Sequence, residues 1–221
     1  MAEESKSLIP AEIAGTIQKH DDSMFEKVAS ASAFLPRIML MATTSGLVVD
    51  KKMAAGDYAL VDGDSFIDLG SEFDLLVCNW RPKAMDVSGN EIVSAYDPDS
   101  AVFKEIQAKA DVKDSGCMFG PEFLVYVKSA KKYASYFMSS KTSRREAPAL
   151  RKYLTKAATL KSHLIDPPKS KYKWYGPVVT SCSTPFEVPS LESLKVEINK
   201  FNNPPVEERE PADEASGTRE R

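Results

Sequence analysis

The sequence predicts an α+β domain in which β-strands predominate. Short apolar runs recur along the chain, alternate with polar residues and end at Gly, Pro, Asp or Asn, as strands do. Two stretches with helical spacing follow Ser100 and Ser190, which are suitable helix caps. At 221 residues, 43% apolar and 28% charged, the chain has the length and composition of a soluble protein with one well-buried domain.

The first half is expected to be mainly β. Asp62-Gly63-Asp64 separates two alternating runs and predicts a hairpin, because Asp-Gly favours the left-handed conformations of a tight turn. The run 73–80 is the most apolar of this half and is short enough to be a buried strand. The strands predicted here are 34–40, 56–61, 66–69, 73–80 and 91–96.

The second half mixes helices with strands. A hairpin is predicted from strands 122–127 and 133–139, joined by the basic turn 128–132. A helix is predicted from about Ala147, because proline at 148 is tolerated only in a first helical turn. An apolar stripe extends that helix to Ile165. The remaining predicted elements are the helices 101–110 and 191–201 and the strand 174–180.

Charge is segregated along the chain. The basic segment, residues 121–176, contains thirteen Lys and Arg against three acidic residues, whereas the whole chain has a net charge of −3. Soluble domains normally intersperse both signs over their surface. The net charge of the whole chain is close to zero, which argues against unselective binding of nucleic acid through total charge. Any binding would use the local electric field of one face.

Nine aromatic residues lie within the same basic segment. Cations that meet phosphates, together with rings on which bases stack, are the components of a single-stranded nucleic-acid groove. Stacking would come from whichever of Tyr126, Tyr133, Tyr136, Trp174 and Tyr175 face outward. The candidate nucleic-acid-binding residues are Lys131, Lys132, Tyr136, Lys141, Arg144, Arg145, Arg151, Lys152, Lys171, Lys173 and Trp174.

Two other interpretations of the basic segment stay open. Its cations could dock on an acidic protein or another polyanion, or they could be an ordinary solvated face. No helix-turn-helix, zinc-finger, RRM or KH signature is present, which disfavours sequence-specific recognition of a duplex.

Catalytic and cofactor motifs are scarce, so we expect neither an enzyme nor a bound cofactor or metal. The chain has two histidines, His20 and His163, and no phosphate-binding glycine motif. Asp62 with Asp64, and Asp97 with Asp99, could serve a metal-dependent nuclease, but both pairs occupy positions where turns favour Asp.

Cysteine content and hydropathy predict a cytoplasmic protein. Three widely spaced cysteines suggest neither a disulfide framework nor a zinc site. No signal peptide and no membrane span are expected, because no long apolar run occurs.

The chain is expected to comprise a polar N-terminal arm, a single domain and a flexible acidic tail, at residues 1–22, 23–201 and 202–221. The tail has too few apolar residues to bury itself. It could compete with DNA for the basic groove and dock replication proteins, or it could be a simple solubility extension. The sequence leaves open whether the protein forms a homo-oligomer.

In the motifs 34–37, 56–58, 137–145 and 171–179, the chain resembles a group of small phage-encoded proteins. Phe137-Met-Ser-Ser-Lys-Thr-Ser-Arg-Arg145 is similar to a strand that ends in small hydroxyl residues and leads into a basic helix. Lys171-Tyr-Lys-Trp-Tyr-Gly-Pro-Val-Val179 is similar to a strand that begins with an aromatic pair. Phe34-Leu-Pro-Arg37 and Gly56-Asp-Tyr58 resemble two earlier motifs of the group.

Proteins of this group are regarded as single-stranded DNA-binding proteins of the OB type. The resemblance covers about residues 34–180 and implies an OB-like five-stranded barrel with added helices, acting in phage DNA replication or recombination in the host cell cytoplasm. The order of elements suits such a barrel, although a generic α+β sandwich would give the same pattern. An alternative function is that of a virion component or inhibitor whose basic face docks on an acidic partner.

Overall fold

The computed structural model describes residues 35–89, 91–112, 114–168 and 170–203. The predicted N-terminal arm, the first residues of the predicted domain and the acidic tail from 204 onward lie outside the described residues.

The described residues form nine strands and four helices. The strands are β1 (Arg37–Leu40), β2 (Tyr58–Asp62), β3 (Ser65–Gly70), β4 (Glu72–Asp86), β5 (Val93–Ala95), β6 (Cys117–Val127), β7 (Lys132–Phe137), β8 (Ala157–Ile165) and β9 (Trp174–Ser181). The helices are α1 (Gly46–Val49), α2 (Ala101–Lys109), α3 (Lys141–Arg151) and α4 (Leu191–Asn202). The prediction of an α+β, mainly β fold is confirmed.

All nine strands belong to one sheet. Eight follow the order β3-β2-β1-β7-β6-β4-β8-β9, and β5 pairs with the last residues of β4. Neighbouring strands are antiparallel except β1 and β7, which are parallel. Eight of the nine strands correspond to predicted strands, and the ninth, β8, lies where a helix was predicted. The sheet therefore has four more strands than the five-stranded barrel that the resemblance implies.

The sheet curls into a half-barrel. The Tyr58 hydroxyl on β2 donates a hydrogen bond to the carbonyl oxygen of Lys161 on β8, 3.1 Å away, although β2 and β8 lie near opposite ends of the strand order. Next to β2, Gly56 lies so close to the Tyr175 ring that a Cβ atom at residue 56 would come within 2.5 Å of it. These contacts bring the two ends of the sheet together.

The main core fills the inside of this curl. Tyr58 and Phe73 pack edge to face with ring centroids 5.2 Å apart. Ala147 and Leu150 from α3 are buried in the same apolar cluster, so α3 is fixed against the half-barrel by one face.

A second, smaller apolar cluster lies where β4 and β6 extend beyond the curl. Phe103 and Ile106 of α2 are buried there against Ala84 and Cys117, which belong to the far ends of these two long strands. Burial of this cluster positions α2 beside the sheet.

Most predicted elements are confirmed. The Asp-Gly hairpin joins β2 to β3 with Gly63 at φ 58°, and the basic turn joins β6 to β7 with Lys131 at φ 52°. Ser100 caps α2 by accepting a hydrogen bond from the Phe103 amide at 3.2 Å, and Ser190 caps α4 in the same way.

The helix predicted from Ala147 to Ile165 is wrong. The structure has a helix that begins at Lys141 and ends at Arg151, with Pro148 inside it, and then the strand β8. Thr155 has φ 64°, which ends helical geometry, and its amide donates to the Val77 carbonyl at 2.8 Å. The backbone of β8 therefore forms its hydrogen bonds with β4 and β9 rather than within a helix.

Across the ranges described above, no helix has the length and apolar character needed to cross a membrane.

Candidate nucleic-acid interface

Helix α3 and the residue that follows it carry five cations. Its N-terminus is capped by Ser140, whose hydroxyl accepts a hydrogen bond from the Ser143 amide at 3.1 Å. With Ala147 and Leu150 fixed in the core, a spacing of 100° per residue directs the cationic side chains to an arc of about 120° on the other side. This cationic arc consists of Lys141, Arg144, Arg145, Arg151 and Lys152.

The β8–β9 hairpin lies beside the first turn of α3. The Trp174 indole N–H donates a hydrogen bond to the Thr142 hydroxyl at 3.1 Å. A Cβ atom on Gly176 would come within 2.6 Å of the Thr142 methyl group, so the hairpin backbone packs tightly against the helix. Lys171 and Lys173 are therefore next to the cationic arc, although about twenty residues separate them from α3 in sequence.

Two rings of this hairpin are accessible. Tyr172 is 80% exposed and Trp174 is 40% exposed. Exposed rings between lysines are suitable for stacking unpaired bases while the lysines contact the neighbouring phosphates.

An apolar groove adjoins the cationic arc. It has a volume of about 470 Å³ and lies between α3, α2 and the surface of β4 and β6. Its lining, which we call the aromatic groove, consists of Trp80, Pro82, Pro98, Phe103, Gln107, Phe119, Gly120, Pro121, Phe123, Arg144, Ala147, Pro148 and Arg151.

Two arginines of the arc cover rings of this groove. The Arg144 guanidinium lies 4.1 Å from the Phe119 ring centroid, and that of Arg151 lies 4.7 Å from the Trp80 centroid. Arg144 also donates to the carbonyl oxygens of Phe119 and Ser139, which fixes its orientation. Such cation–π contacts hold the charged groups at the edge of an apolar surface.

Carboxylates partly neutralise five of the predicted cations. Asp111 lies 3.4 Å from Lys141 and 3.6 Å from Arg144. The other three pairs are Lys131 with Glu187 at 3.9 Å, Lys132 with Asp62 at 3.1 Å, and Lys173 with Asp166 at 2.6 Å. Among the residues described, no carboxylate lies within 4.0 Å of the charged groups of Arg145, Arg151, Lys152 and Lys171.

The predicted basic turn does not join the cationic arc. Lys131 and Lys132 lie at the start of β7, and α3 follows the end of that strand. The six residues of β7 span about 17 Å, and the turn and α3 lie at opposite ends of that strand. Of the eleven predicted residues, eight therefore form the main group and Lys131 and Lys132 form a separate pair. The eleventh is Tyr136.

Tyr136 cannot act as a stacking ring in this structure. Only 3% of its surface is exposed, because it faces the main core beside Tyr58. Burial raises the pKa of its hydroxyl well above the ordinary value. Its assignment to the binding site is therefore corrected to a core position.

Two other candidate stacking rings pack against neighbouring side chains. Tyr126 and Tyr133 contact each other edge to face at 5.1 Å, and Phe186 packs against Tyr126. The Tyr133 hydroxyl bonds to that of Ser193 on α4 at 2.9 Å. These half-buried rings attach the C-terminal part of the domain to the outer side of β6 and β7.

Sequence reasoning missed three aromatic residues of the surface. Tyr172 could have been identified from the sequence, because an aromatic residue between two lysines of a basic loop is a recognisable pattern. Trp80 and Phe119 lie outside the basic segment, and only the packing of α3 brings them beneath its arginines.

The aspartate pairs considered for a nuclease lie in turns. Asp97 accepts a hydrogen bond from the Asp99 amide at 2.9 Å, and Asp62 pairs with Lys132. In the part of the chain that the structure describes, no three His, Cys, Asp or Glu side chains come together as metal ligands.

No protein-family model, no curated protein and no solved structure matches this chain. The assignment of function therefore rests on the geometry described above.

Proposed function

We propose that this protein binds single-stranded DNA with little sequence preference and without catalysing a reaction. The observation that carries the proposal is the junction of the cationic arc with the β8–β9 hairpin. There, Lys171, Lys173 and two exposed rings lie next to the five cations of the arc. Phosphates would lie along the cations, and bases would stack on the rings.

The connectivity supports the OB-type prediction. If β1, β2, β3 and β5 are set aside, the remaining strands are the antiparallel set β4, β6 and β7 and the hairpin of β8 and β9. Helix α3 connects the set to the hairpin. A five-stranded OB barrel binds oligonucleotides partly through the loop between its last two strands. The loop in that position here carries Lys171, Tyr172 and Lys173.

A role in phage DNA replication or recombination, in the host cell cytoplasm, belongs to the same proposal. It rests on the four sequence motifs described above. Docking of replication proteins on the acidic tail stays a prediction, since the tail lies outside the described residues.

The first test is a salt titration. Fluorescence anisotropy of a labelled single strand of about thirty nucleotides would measure affinity between about 0.05 and 0.5 M salt, with duplex DNA as competitor. We expect tight binding at low salt, preference for the single strand and a steep loss of affinity as salt rises, because bound cations displace condensed counterions.

The decisive variant is Arg145→Ala with Lys152→Ala. Both residues are exposed on the cationic arc and face no carboxylate among the described residues, so their removal should leave the fold intact. The salt slope should fall by about 1.4, since each phosphate contact on a single strand contributes about 0.7. Affinity should fall on the order of tenfold at about 0.1 M salt.

The matched control is Lys131→Ala with Lys132→Ala. It removes the same charge from the turn at the other end of β7, where both lysines face carboxylates. Equal losses in the two double variants would contradict the proposed surface. No binding at low salt by the unaltered protein would exclude the function.

A second candidate function is docking of an acidic protein on the same surface. The aromatic groove favours it, because an apolar cleft bordered by arginines also fits acidic segments that carry apolar side chains. Salt-resistant association with a protein partner, without DNA binding, would support this candidate instead.

A further inference from the structure

The aromatic groove and the cationic arc share two residues, Arg144 and Arg151. A strand whose phosphates follow α3 would therefore pass along the edge of the groove. This step rests on the proposed function, which places the phosphates there.

The floor of the groove has few groups that interact with water. Pro82 and Pro121 are paired directly across β4 and β6. Proline has no backbone N–H, so neither residue offers a donor to solvent. Gln107 has the one side-chain amide in the lining.

The two arginine–ring pairs lie apart along the groove. Arg144 and Arg151 are seven residues apart on α3, which corresponds to about 10 Å along the helix axis. Adjacent bases of a strand are about 3.4 Å apart, so this separation along the helix corresponds to about three stacked bases. Guanidinium planes and aromatic rings both stack on bases.

We propose that the aromatic groove receives unpaired nucleobases of the strand bound along α3. The flat, apolar faces of a base match the proline floor and the guanidinium planes that cover the Trp80 and Phe119 rings, while its phosphates contact the same arginines. Because the prolines of the floor present no N–H donors to base edges, stacking rather than base-edge recognition would govern binding, and the site accepts different bases. A paired base is not available to it, which accounts for selectivity against duplex DNA.

The groove contains one of the two tryptophans of the chain, and this makes the inference testable. In the variant Trp174→Phe, all tryptophan emission comes from Trp80. This variant would be titrated with an oligothymidine of about thirty nucleotides and with a strand of equal length made of abasic nucleotides, while anisotropy measures the affinity for each.

We expect the oligothymidine to quench Trp80 emission and to bind at least about fivefold more tightly than the abasic strand. The abasic strand should bind through its phosphates without quenching. If both strands bind and neither changes Trp80 emission, the base site is excluded and the proposed function survives. If neither strand binds at low salt to this variant or to the unaltered protein, both proposals fail.

Two leucine variants provide a second readout. Trp80→Leu should reduce the preference for oligothymidine over the abasic strand by about fivefold or more. Tyr96→Leu is the matched control, because Tyr96 also lies beneath an arginine, Arg81, but outside the groove. Equal loss of preference in both variants would overturn the assignment. Trp80 emission that responds to a synthetic glutamate- and phenylalanine-containing peptide, and to neither strand, would make the groove a protein-docking site.

Discussion

Glu122 shows how a single charge is held inside the domain. The residue lies in the middle of β6 and is 2% exposed. Arg81 contacts one of its oxygens at 2.7 Å and Lys83 contacts the other at 2.7 Å. Arg81 also stacks on Phe201 and donates to the Phe201 carbonyl oxygen, so this buried group links β4, β6 and α4.

The variant Glu122→Gln should lower the free energy of unfolding by about 3 kcal/mol, because it leaves two poorly hydrated cations without a counter-charge. Urea denaturation would measure the change. The control is Glu72→Gln, since the ion pair of Glu72 with Lys161 is about half exposed and should contribute less than about 1 kcal/mol. A loss at Glu122 no larger than that at Glu72 would show that the buried pairs are dispensable.

At the scale of elements, the closure of the half-barrel depends on a glycine. Gly56 has φ 94° and contacts the Tyr175 ring of β9, whereas Gly63 has φ 58° with open space around its Cα. The same closure places the β8–β9 hairpin against α3, which completes the candidate interface.

The variant Gly56→Ala should destabilise the protein by more than Gly63→Ala, which serves as its control. Both variants incur about 1–2 kcal/mol for a left-handed conformation, but only Gly56→Ala adds a clash with an aromatic ring. Thermal unfolding of the two proteins would compare them. Equal destabilisation would mean that β9 shifts freely and does not depend on its contact with residue 56.

Sequence patterns predicted the elements better than they predicted their partners. Alternation and turn chemistry were sufficient for the β2–β3 and β6–β7 hairpins, because both depend on neighbouring residues. The same apolar residues of β8 fit helical spacing. Their strand conformation depends on pairing with β4, more than eighty residues earlier in the chain.

At the scale of the whole molecule, two apolar clusters share the long strands β4 and β6. The main core fills the half-barrel, and the second cluster packs α2 against the far ends of these strands. Since the same two strands support both clusters, we expect the domain to unfold in one cooperative transition.

The variant Ile106→Ala tests this expectation. It creates a cavity in the second cluster and should lower stability by about 2–4 kcal/mol. Tryptophan emission reports on the main core and the hairpin. The urea midpoint of unfolding measured by this emission and the midpoint measured by far-UV circular dichroism should both shift to the same lower concentration. The control is Val102→Ala on the exposed side of α2. An unchanged emission midpoint in Ile106→Ala would show that the second cluster unfolds separately.

Local patterns were enough to predict the α+β, mainly β class, the capped helices α2 and α4, and a segment rich in cations and aromatic rings. Each of these depends on composition or on residues close together in the chain. The tertiary structure alone decided that Tyr136 is buried, that Lys131 and Lys132 lie apart from α3, and that Trp80 and Phe119 lie beneath its arginines. Burial and pairing depend on contacts between residues distant in sequence, and a local pattern carries no information about which distant residues meet.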